Sequence, residues 1–366
     1  MKRRTFIGAS LAAPLIAQLS TPAFAQERSY TPVPKGWRTF EVSTRVEIPN
    51  AGGVTQAWVP IPGVDTQWQR SLESTWSGTA QHAAIVTDPA YGATMVHAVW
   101  DKVDATPVLE VVSRFETQDR LQDWSASAAP ATPHEVASFL KATALMPTDG
   151  IVRTTSQQIT EGRTSEIEKV RAIYEWVVAN TYREPATRGC GVGDIGAMLE
   201  TGSMGGKCAD LNALFVGLVR AAGIPARDLY GIRVAKSAFG YRELGAGSPD
   251  ISKAQHCRAE VWLARYGWVA MDPADVGKVM RQETPNWLKD TRDPVVAPVK
   301  QALFGSWEGN WLAYNVAHDV ALPGSQLGKI GFLMYPQAET REQRADSLEP
   351  ETFKYRITAR EVATKA

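Results

Sequence analysis

A single cysteine stands where a nucleophile is expected, at the start of a predicted helix. In the stretch GGKCADLNALFVGLVRAAGIPAR, Cys208 follows two glycines and precedes an apolar run with helical spacing. The positive end of a helix dipole favours a thiolate, and the N–H groups there can hold the oxyanion that forms when a thiolate attacks a carbonyl. Gly205 and Gly206 are expected to leave the approach to the sulfur open. The position therefore predicts a nucleophilic cysteine.

A nucleophilic cysteine needs a base, and the base needs a group that orients it. Among the five histidines, His256 is the best candidate because it opens the strand-like stretch HCRAEVWL. If the chain folds back around residues 264 to 265, Asp272 of GWVAMDP lies opposite residues 256 to 258. In a register whose paired residue numbers have an even sum, the two side chains share a face of the sheet. The prediction is a triad of Cys208, His256 and Asp272.

The alternatives for these three residues are ordinary structural roles. Cys208 could be a buried small hydrophobe, which is the commonest state of a free cysteine. His256 alone would fit a structural histidine, and Asp272 could simply begin a turn. A tighter hairpin at Tyr266-Gly267 would also separate His256 from Asp272 by several residues. Only the combination favours catalysis.

Two further cysteines leave other pairings open. Cys190 and Cys257 could form a disulfide, and the odd count of three leaves at least one thiol unpaired. Zinc held by Cys190, Cys208, His256 and Cys257 is a further alternative, which the lack of a C-x-x-C spacing disfavours. Tyr182 could donate its hydroxyl to the oxyanion.

The elements that must position these residues fall into two patterns. From Arg38 to about Gln118 apolar and polar residues tend to alternate, as in FEVSTRVEI and VLEVVSRFE, which predicts antiparallel strands. The tryptophans of this region are predicted to lie in the core rather than to form a carbohydrate platform. They are Trp58, Trp68, Trp76 and Trp100.

After the bridge SASAAPATP the spacing becomes helical. An apolar stripe between Ile167 and Val177 predicts a helix that begins with a capping box of Ser165 and Glu168. The helix that carries the nucleophile should stop at Gly223. Beyond it DLYGIRVA, HCRAEVWLA and GWVAMD are strand-like, and FKYRITARE alternates near the end of the chain.

Three blocks occur in order: the cysteine-helix stretch, AQHCRAEVWL and YGWVAMDPADV. Together they resemble the transglutaminase-like superfamily over roughly residues 165 to 280. The resemblance implies an α+β fold, with a papain-like transglutaminase core preceded by an N-terminal β-sandwich-like domain. It also implies that Cys208 accepts the acyl group, His256 acts as general base and acid, and Asp272 orients the imidazole.

No metal and no organic cofactor is expected from the resemblance. Animal transglutaminases require calcium, but no Asp/Glu-rich loop of the EF-hand kind occurs here, so that requirement is not carried over. One departure concerns the substrate channel. Cys257 and Arg258 stand where many members have an aromatic residue directly after the catalytic histidine or one place further.

The first 25 residues have the pattern of an export signal. Basic residues 2–4 precede a short apolar stretch that ends at the small-residue site 23–25, and RRTFI fits the twin-arginine type. The apolar run is too short and too interrupted to span a membrane. Cleavage would remove three basic residues and no acid from a chain of net charge 0, which leaves −3. A periplasmic protein without a nucleic-acid-binding patch and without stable membrane insertion is predicted.

The whole chain of 366 residues has the composition of an ordinary globular protein. We expect a signal peptide over residues 1–25, a β-rich domain over 26–130, the catalytic core over 131–283 and a C-terminal extension over 284–366. The predicted function is periplasmic, cysteine-dependent acyl transfer or hydrolysis on amide bonds of peptide or protein substrates. The alternative is a binding or assembly protein that keeps the fold without turnover.

Overall fold

The computed structural model describes residues 28–49, 51–125, 136–349, 351 and 353–363. The predicted signal peptide, residues 1–25, and nearly all of the bridge between the two sequence patterns lie outside the described residues. The architecture is α+β, as predicted. The described part of the chain contains three four-stranded antiparallel sheets and six α-helices, together with several two-stranded pairs.

The strands are numbered in chain order. They are β1 (Arg38–Glu47), β2 (Thr55–Pro60), β3 (Gln69–Gly78), β4 (His82–Thr87), β5 (Thr94–Trp100), β6 (Val108–Thr117), β7 (Arg120–Leu121), β8 (Tyr182–Arg183), β9 (Gly205–Gly206), β10 (Ala226–Arg233), β11 (Gln255–Leu263), β12 (Gly267–Met271), β13 (Ser306–Trp307), β14 (Trp311–Asn315), β15 (His318–Val320), β16 (Ile330–Phe332), β17 (Gln337–Thr340) and β18 (Lys354–Val362). The helices are α1 (Gly150–Thr160), α2 (Glu166–Asn180), α3 (Ile195–Thr201), α4 (Cys208–Ala221), α5 (Pro273–Gln282) and α6 (Ala297–Ala302).

Two of the sheets form the β-sandwich-like part of the molecule. Their strand orders are β18-β1-β6-β3 and β17-β2-β5-β4. Along β1 the buried residues alternate with partly exposed ones, which is why one face of this sheet is apolar. Near one end that face packs on the second sheet through Val46, Val59 and Trp100. Near the other end Phe40 and Val42 pack on the other half of the molecule, against Ile232 and Leu312.

Three of the four tryptophans predicted for the core are buried. Trp58, Trp68 and Trp100 have at most 3% of their surface exposed. The prediction is wrong for Trp76, which is 38% exposed. Trp76 lies on β3, the edge strand of its sheet, where the outer neighbour that would cover an aromatic ring is missing.

The third sheet, in the order β12-β11-β10-β14, belongs to the half of the molecule that contains Cys208. Helix α4 packs on this sheet and is surrounded on its other sides by α1, α2 and α5. Every residue of α4 from Cys208 to Arg220 is buried, as expected for a helix that is apolar on nearly all sides. This helix is the centre of the main hydrophobic core.

The predicted helix boundaries are confirmed. Ser165 caps α2 by accepting the Glu168 N–H, and the Glu168 side chain accepts the Ser165 N–H at 3.0 Å. Helix α4 ends just before Gly223, whose φ of +83° is accessible to glycine at little cost. The helices α1, α3, α5 and α6 were not predicted. Helix α3 lies within the glycine-rich stretch RGCGVGDIGAMLETGSMGGK.

Residues after 284 contribute strands to all three large sheets. Strand β14 pairs with β10, β17 pairs with β2, and β18 pairs with β1. The four-part division of the chain stays a prediction, but this C-terminal region is interleaved with both halves. In the described part of the chain, no helix has both the length and the apolar character of a membrane-crossing segment.

Candidate active site

Cys208 is the first residue of α4, as predicted. The residue before it, Lys207, is the N-cap and has an extended backbone. The Ala209 N–H donates to the Cys190 carbonyl at 2.9 Å, and the next two N–H groups donate to the Lys207 carbonyl at 3.1 and 2.9 Å. No acceptor among the described residues takes the N–H of Cys208 itself. One unpaired donor therefore remains beside the sulfur.

The two glycines before Cys208 have a different role from the one predicted. A Cβ on Gly206 would lie 2.6 Å from the Cβ of Asp210, and a Cβ on Gly205 would lie 2.6 Å from the Tyr182 ring. The space beside each glycine is therefore already filled by a protein side chain. The glycines permit close internal packing and do not open a path for substrate.

Tyr182 covers Gly205 and contacts Trp287, with 5.7 Å between the two ring centroids. Its side chain does not line the cavity into which Cys208 opens. This placement does not favour the oxyanion role suggested by the sequence.

The hairpin of β11 and β12 brings His256 and Asp272 together. Ala259 pairs with Met271 and Leu263 with Gly267, so the turn is centred on Arg265 and the paired numbers have an even sum. The predicted fold-back and its register are confirmed. The His256 Nε2 lies 2.7 Å from Asp272 Oδ2, and both side chains are buried. With Nε2 engaged by the carboxylate, Nδ1 is the nitrogen left for the thiol.

Asp272 has a second role as the N-cap of α5. Its Oδ1 accepts the Asp275 N–H at 3.1 Å and the Asn212 side-chain N–H at 3.2 Å. Asn212 in turn accepts the N–H of Ala274 at 3.2 Å and donates to the carbonyl of Cys257 at 2.8 Å. This one amide links α4, β11 and α5, and so fixes the elements that carry the three triad residues.

A second carboxylate, Asp275, faces the same imidazole. The His256 Nε2 lies 3.4 Å from its Oδ2. Arg233 donates to both oxygens of Asp275, at 2.6 and 2.8 Å. Burial disfavours the ionised form of Asp275, but Arg233 and His256 hold its pKa well below the usual range. Burial and the neighbouring Asp275 raise the pKa of Asp272, although His256 opposes this rise.

The charges at the site favour a thiolate and an imidazolium. Burial and Arg233 lower the pKa of His256, but the Asp275 and Asp272 carboxylates outweigh them and raise it to about 9. The pKa of Cys208 is held well below its ordinary value by hydrogen bonding with Cys190 and Cys257 and by His256, in spite of burial. The geometry thus supports a charged pair of the kind that makes a cysteine nucleophilic at neutral pH.

The other two cysteines lie beside Cys208, and all three are free thiols. The pKa of Cys190 is raised by its hydrogen bond with Cys208 and by burial. The pKa of Cys257 is raised by burial and by its own hydrogen bond with Cys208. Both therefore stay protonated, and the Cys190 thiol donates to the Gln255 carbonyl, with 3.4 Å between sulfur and oxygen. The disulfide between Cys190 and Cys257 that the sequence left open is not formed in this structure.

One group of described residues brings three ligand atoms within 4.8 Å of one another: His256, Asp272 and Asp275. Its donors already bind Arg233, Asn212 and one another. A dication would have to displace a guanidinium that contacts both oxygens of Asp275, so the donor set does not fit a metal. The ligands of the zinc alternative do not form such a group over the described residues.

Cys208 is only 3% exposed, yet it lines a cavity of about 610 Å³. His256, Cys190 and Gln255 line the same cavity. Access to the sulfur is therefore narrow. A volume of this size is typical of small-molecule sites and could admit a peptide side chain and the adjoining backbone.

The site consists of a cysteine at a helix N-terminus and of a histidine and an aspartate on an adjacent hairpin. This arrangement defines a structural class, and similarity to known proteins supports the same class. The chain belongs to the transglutaminase-like superfamily, whose family model matches residues 153–273. It is 37% identical over 320 residues to an uncharacterized protein of Haemophilus influenzae, which covers 83% of this chain and 85% of that protein.

Two solved structures match this chain, and the first of them is similar in fold. A protein of Cytophaga hutchinsonii, described as a candidate cysteine protease, gives a TM-score of 0.50 at 14% identity over 90% of this chain and 99% of its own. The periplasmic domain of TgpA from Pseudomonas aeruginosa gives a TM-score of 0.34 at 14% identity, over 72% of this chain and 93% of its own.

The structure brings together all three residues predicted from the sequence, and their catalytic roles stay a prediction. Sequence reasoning missed Asn212, Asp275 and Arg233. A signal for two of them existed. Asn212 is a polar residue at the fifth position of a mostly apolar helix, and Asp275 follows Asp272 by three residues. Arg233 lies on a different strand, and nothing in its local sequence marks it.

Proposed function

We propose that this protein catalyses cysteine-dependent acyl transfer or hydrolysis at amide bonds of peptide-like substrates, in the periplasm. The observation that carries the proposal is that the Cys208 thiol and the His256 imidazole line one cavity, with the imidazole held by the Asp272 carboxylate. The export pattern of residues 1–25 supports the location. The fold supports the reaction class, since papain-like cores present a cysteine to a carbonyl in this way.

The acylation step uses the charged pair directly. The Cys208 thiolate attacks the amide carbon, and the carbonyl oxygen becomes an oxyanion that the unpaired Cys208 N–H can stabilise. The His256 imidazolium then gives its proton to the departing nitrogen, the C–N bond breaks, and a thioester remains. His256 is now neutral, and Asp272 still holds its Nε2.

In deacylation the roles reverse. Neutral His256 takes a proton from water or from an amine, which attacks the thioester carbon. The C–S bond breaks and the thiolate is restored beside an imidazolium. Hydrolysis and transamidation therefore share every protein group and differ only in the second nucleophile.

An acyl-enzyme trap tests the proposal. The mature protein is incubated with a peptide library, quenched in acid and examined by intact-mass spectrometry. We expect adducts on Cys208 in the wild type, none in Cys208→Ser and few in His256→Gln. Lys102→Glu is the control, because Lys102 is exposed and does not line the cavity, so its adducts should persist.

The alternative is a binding protein that keeps the fold without turnover. It predicts peptide binding of equal strength in the wild type and in Cys208→Ser, with no adduct in either. That result would replace the enzymatic proposal.

A further inference from the structure

The cavity around Cys208 is strongly cationic in a protein that carries no excess of positive charge overall. Asp250 is the one carboxylate that lines it in the described part of the chain, and Asp250 already pairs with Arg356 at 3.0 Å. Six basic side chains line the cavity: Arg183, Arg188, Lys207, Arg233, Lys253 and Lys278.

Three of these cations are neutralised by the protein itself. Arg233 pairs with Asp275 at 2.6 Å, as described above. Arg188 pairs with Asp346 at 2.7 Å, and Lys278 pairs with Glu243 at 3.4 Å. These cations do not need a ligand.

The other three have no carboxylate partner among the described residues. Arg183 donates only to the neutral amide oxygen of Gln282, at 3.1 Å. Lys253 is exposed and Lys207 is half-buried, and neither forms an ion pair over the described part of the chain. Burial and the nearby charge of Arg183 lower the pKa of Lys207, which shows that these cations repel each other across the cavity.

A second feature of the wall indicates a ligand with oxygen acceptors. Gln255 is nine-tenths buried and lines the cavity, and its side-chain amide nitrogen has no hydrogen-bond partner among the described residues. An unsatisfied buried donor is costly, and native structures contain few of them. A carbonyl or carboxylate oxygen of a substrate would satisfy it.

We propose that the substrate of this site is an acidic peptide, whose carboxylates flank the reacting amide and are held by Lys207, Lys253 and Arg183. This inference rests on the proposed function and names its substrate class. The cations lie around the nucleophile, and Lys207 directly precedes Cys208 in the chain. A substrate carboxylate would therefore pair with them while its amide carbon approaches the sulfur.

The first test compares two alkylating probes of similar size and different charge, iodoacetate and iodoacetamide. The measured quantity is the ratio of their rate constants at Cys208. We expect Lys253→Glu to lower the iodoacetate-to-iodoacetamide ratio by about threefold or more, since charge reversal removes an attraction and adds a repulsion. The preference of the wild type for the anion should also weaken as salt is added.

Lys102→Glu is the matched control, because Lys102 lies between β5 and β6, is exposed, and does not line the cavity. Its ratio should equal that of the wild type. If Lys253→Glu and Lys102→Glu change the ratio equally, the cavity does not select anions and the inference is overturned.

The second test uses peptide pairs that differ only by Glu or Gln on either side of the reacting amide. Acylation of the wild type should favour the Glu peptide, and Lys253→Glu should reduce that preference. Fast acylation without any preference refutes the acidic-peptide inference alone. If neither alkylating probe nor any peptide modifies Cys208 faster than an ordinary thiol, the proposed function itself fails.

Discussion

Replacing Asp272 by asparagine tests whether this carboxylate sets the tautomer and charge of His256. Asp272 Oδ1 holds two donors, from Asn212 and from the backbone of Asp275, while Oδ2 holds the imidazole. Asparagine has one side-chain oxygen, and the two donors at the helix cap keep it there, since Asn caps helices as well as Asp does. Its NH₂ group then faces His256 Nε2, which must become the acceptor.

The consequence is a neutral imidazole with its proton on Nδ1, directed at Cys208. Such an imidazole cannot take the thiol proton. In Ser-His-Asp hydrolases the equivalent wrong tautomer lowers kcat by about 10⁴. We expect a loss of acylation rate on the order of 10³ to 10⁴, or about 4 to 5.5 kcal/mol in the barrier. The pKa of His256 should fall from about 9 toward its ordinary value of 6.5.

The free energy of unfolding should change little in Asp272→Asn, because the cap remains. Asp272→Ala is the comparison variant, since it also loses the cap of α5 and should cost a further ~1 kcal/mol. This contrast separates the effect on the imidazole from the effect on the helix.

The assay is the rate of iodoacetamide alkylation at Cys208 as a function of pH. In the wild type the rate should be nearly constant through the neutral range, because the thiolate is already present. In Asp272→Asn it should instead rise as an ordinary thiol ionises, near pH ~8.5. A variant that folds normally and keeps the flat profile would refute the reasoning and would identify Asp275 as the acid that controls the imidazole.

Three further outcomes are expected. The variant Cys208→Ser removes the titration of the thiol, which would oppose that of His256. Its melting temperature should fall as pH rises from 6.5 to 9, because the raised pKa of His256 means that the protonated ring stabilises the folded state. A melting temperature that rises over this interval contradicts the assignment. Asn212→Ala removes hydrogen bonds to a strand, a carboxylate and a helix, and should lower the free energy of unfolding in urea by about 2 to 4 kcal/mol. A loss below about 1 kcal/mol would show that water replaces the amide. Gly206→Ala places a Cβ against Asp210, which should destabilise the folded protein by about 1 to 3 kcal/mol in thermal unfolding and should slow the alkylation of Cys208. Unchanged stability and an unchanged alkylation rate would disprove the packing argument.

Helix ends and the hairpin register could be predicted from the sequence, because they depend on residues that are close together in the chain. The capping box of Ser165 and Glu168 and the glycine after α4 define helix ends through contacts within a few residues. The register of β11 and β12 follows from a three-residue turn, and so the pairing of His256 with Asp272 could be predicted. For the same reason α5 could have been predicted, since Asp272 and Pro273 form an N-cap and first-turn signal.

The rest depends on contacts between elements far apart in the chain. Arg233 reaches Asp275 only because β10 lies beside β11, while α5 directly follows β12, the other neighbour of β11. The burial of Trp58 and the exposure of Trp76 depend on which strand is central and which is at the edge, and both have the same local pattern. The cationic cavity collects side chains from five separate segments, so no window of sequence shows it.

The pairing of β1 with β18 joins segments more than 300 residues apart in the chain. During synthesis β1 leaves the ribosome long before residues 354–362 exist. The edge of β1 that pairs with β18 therefore stays unpaired until those residues are synthesised. Closure of this sheet is therefore a late event, and a chain that stops short of Lys354 would keep an unpaired strand edge that can recruit other chains. Truncated chains are therefore expected to be less soluble than the full-length chain, because β18 covers the edge of β1.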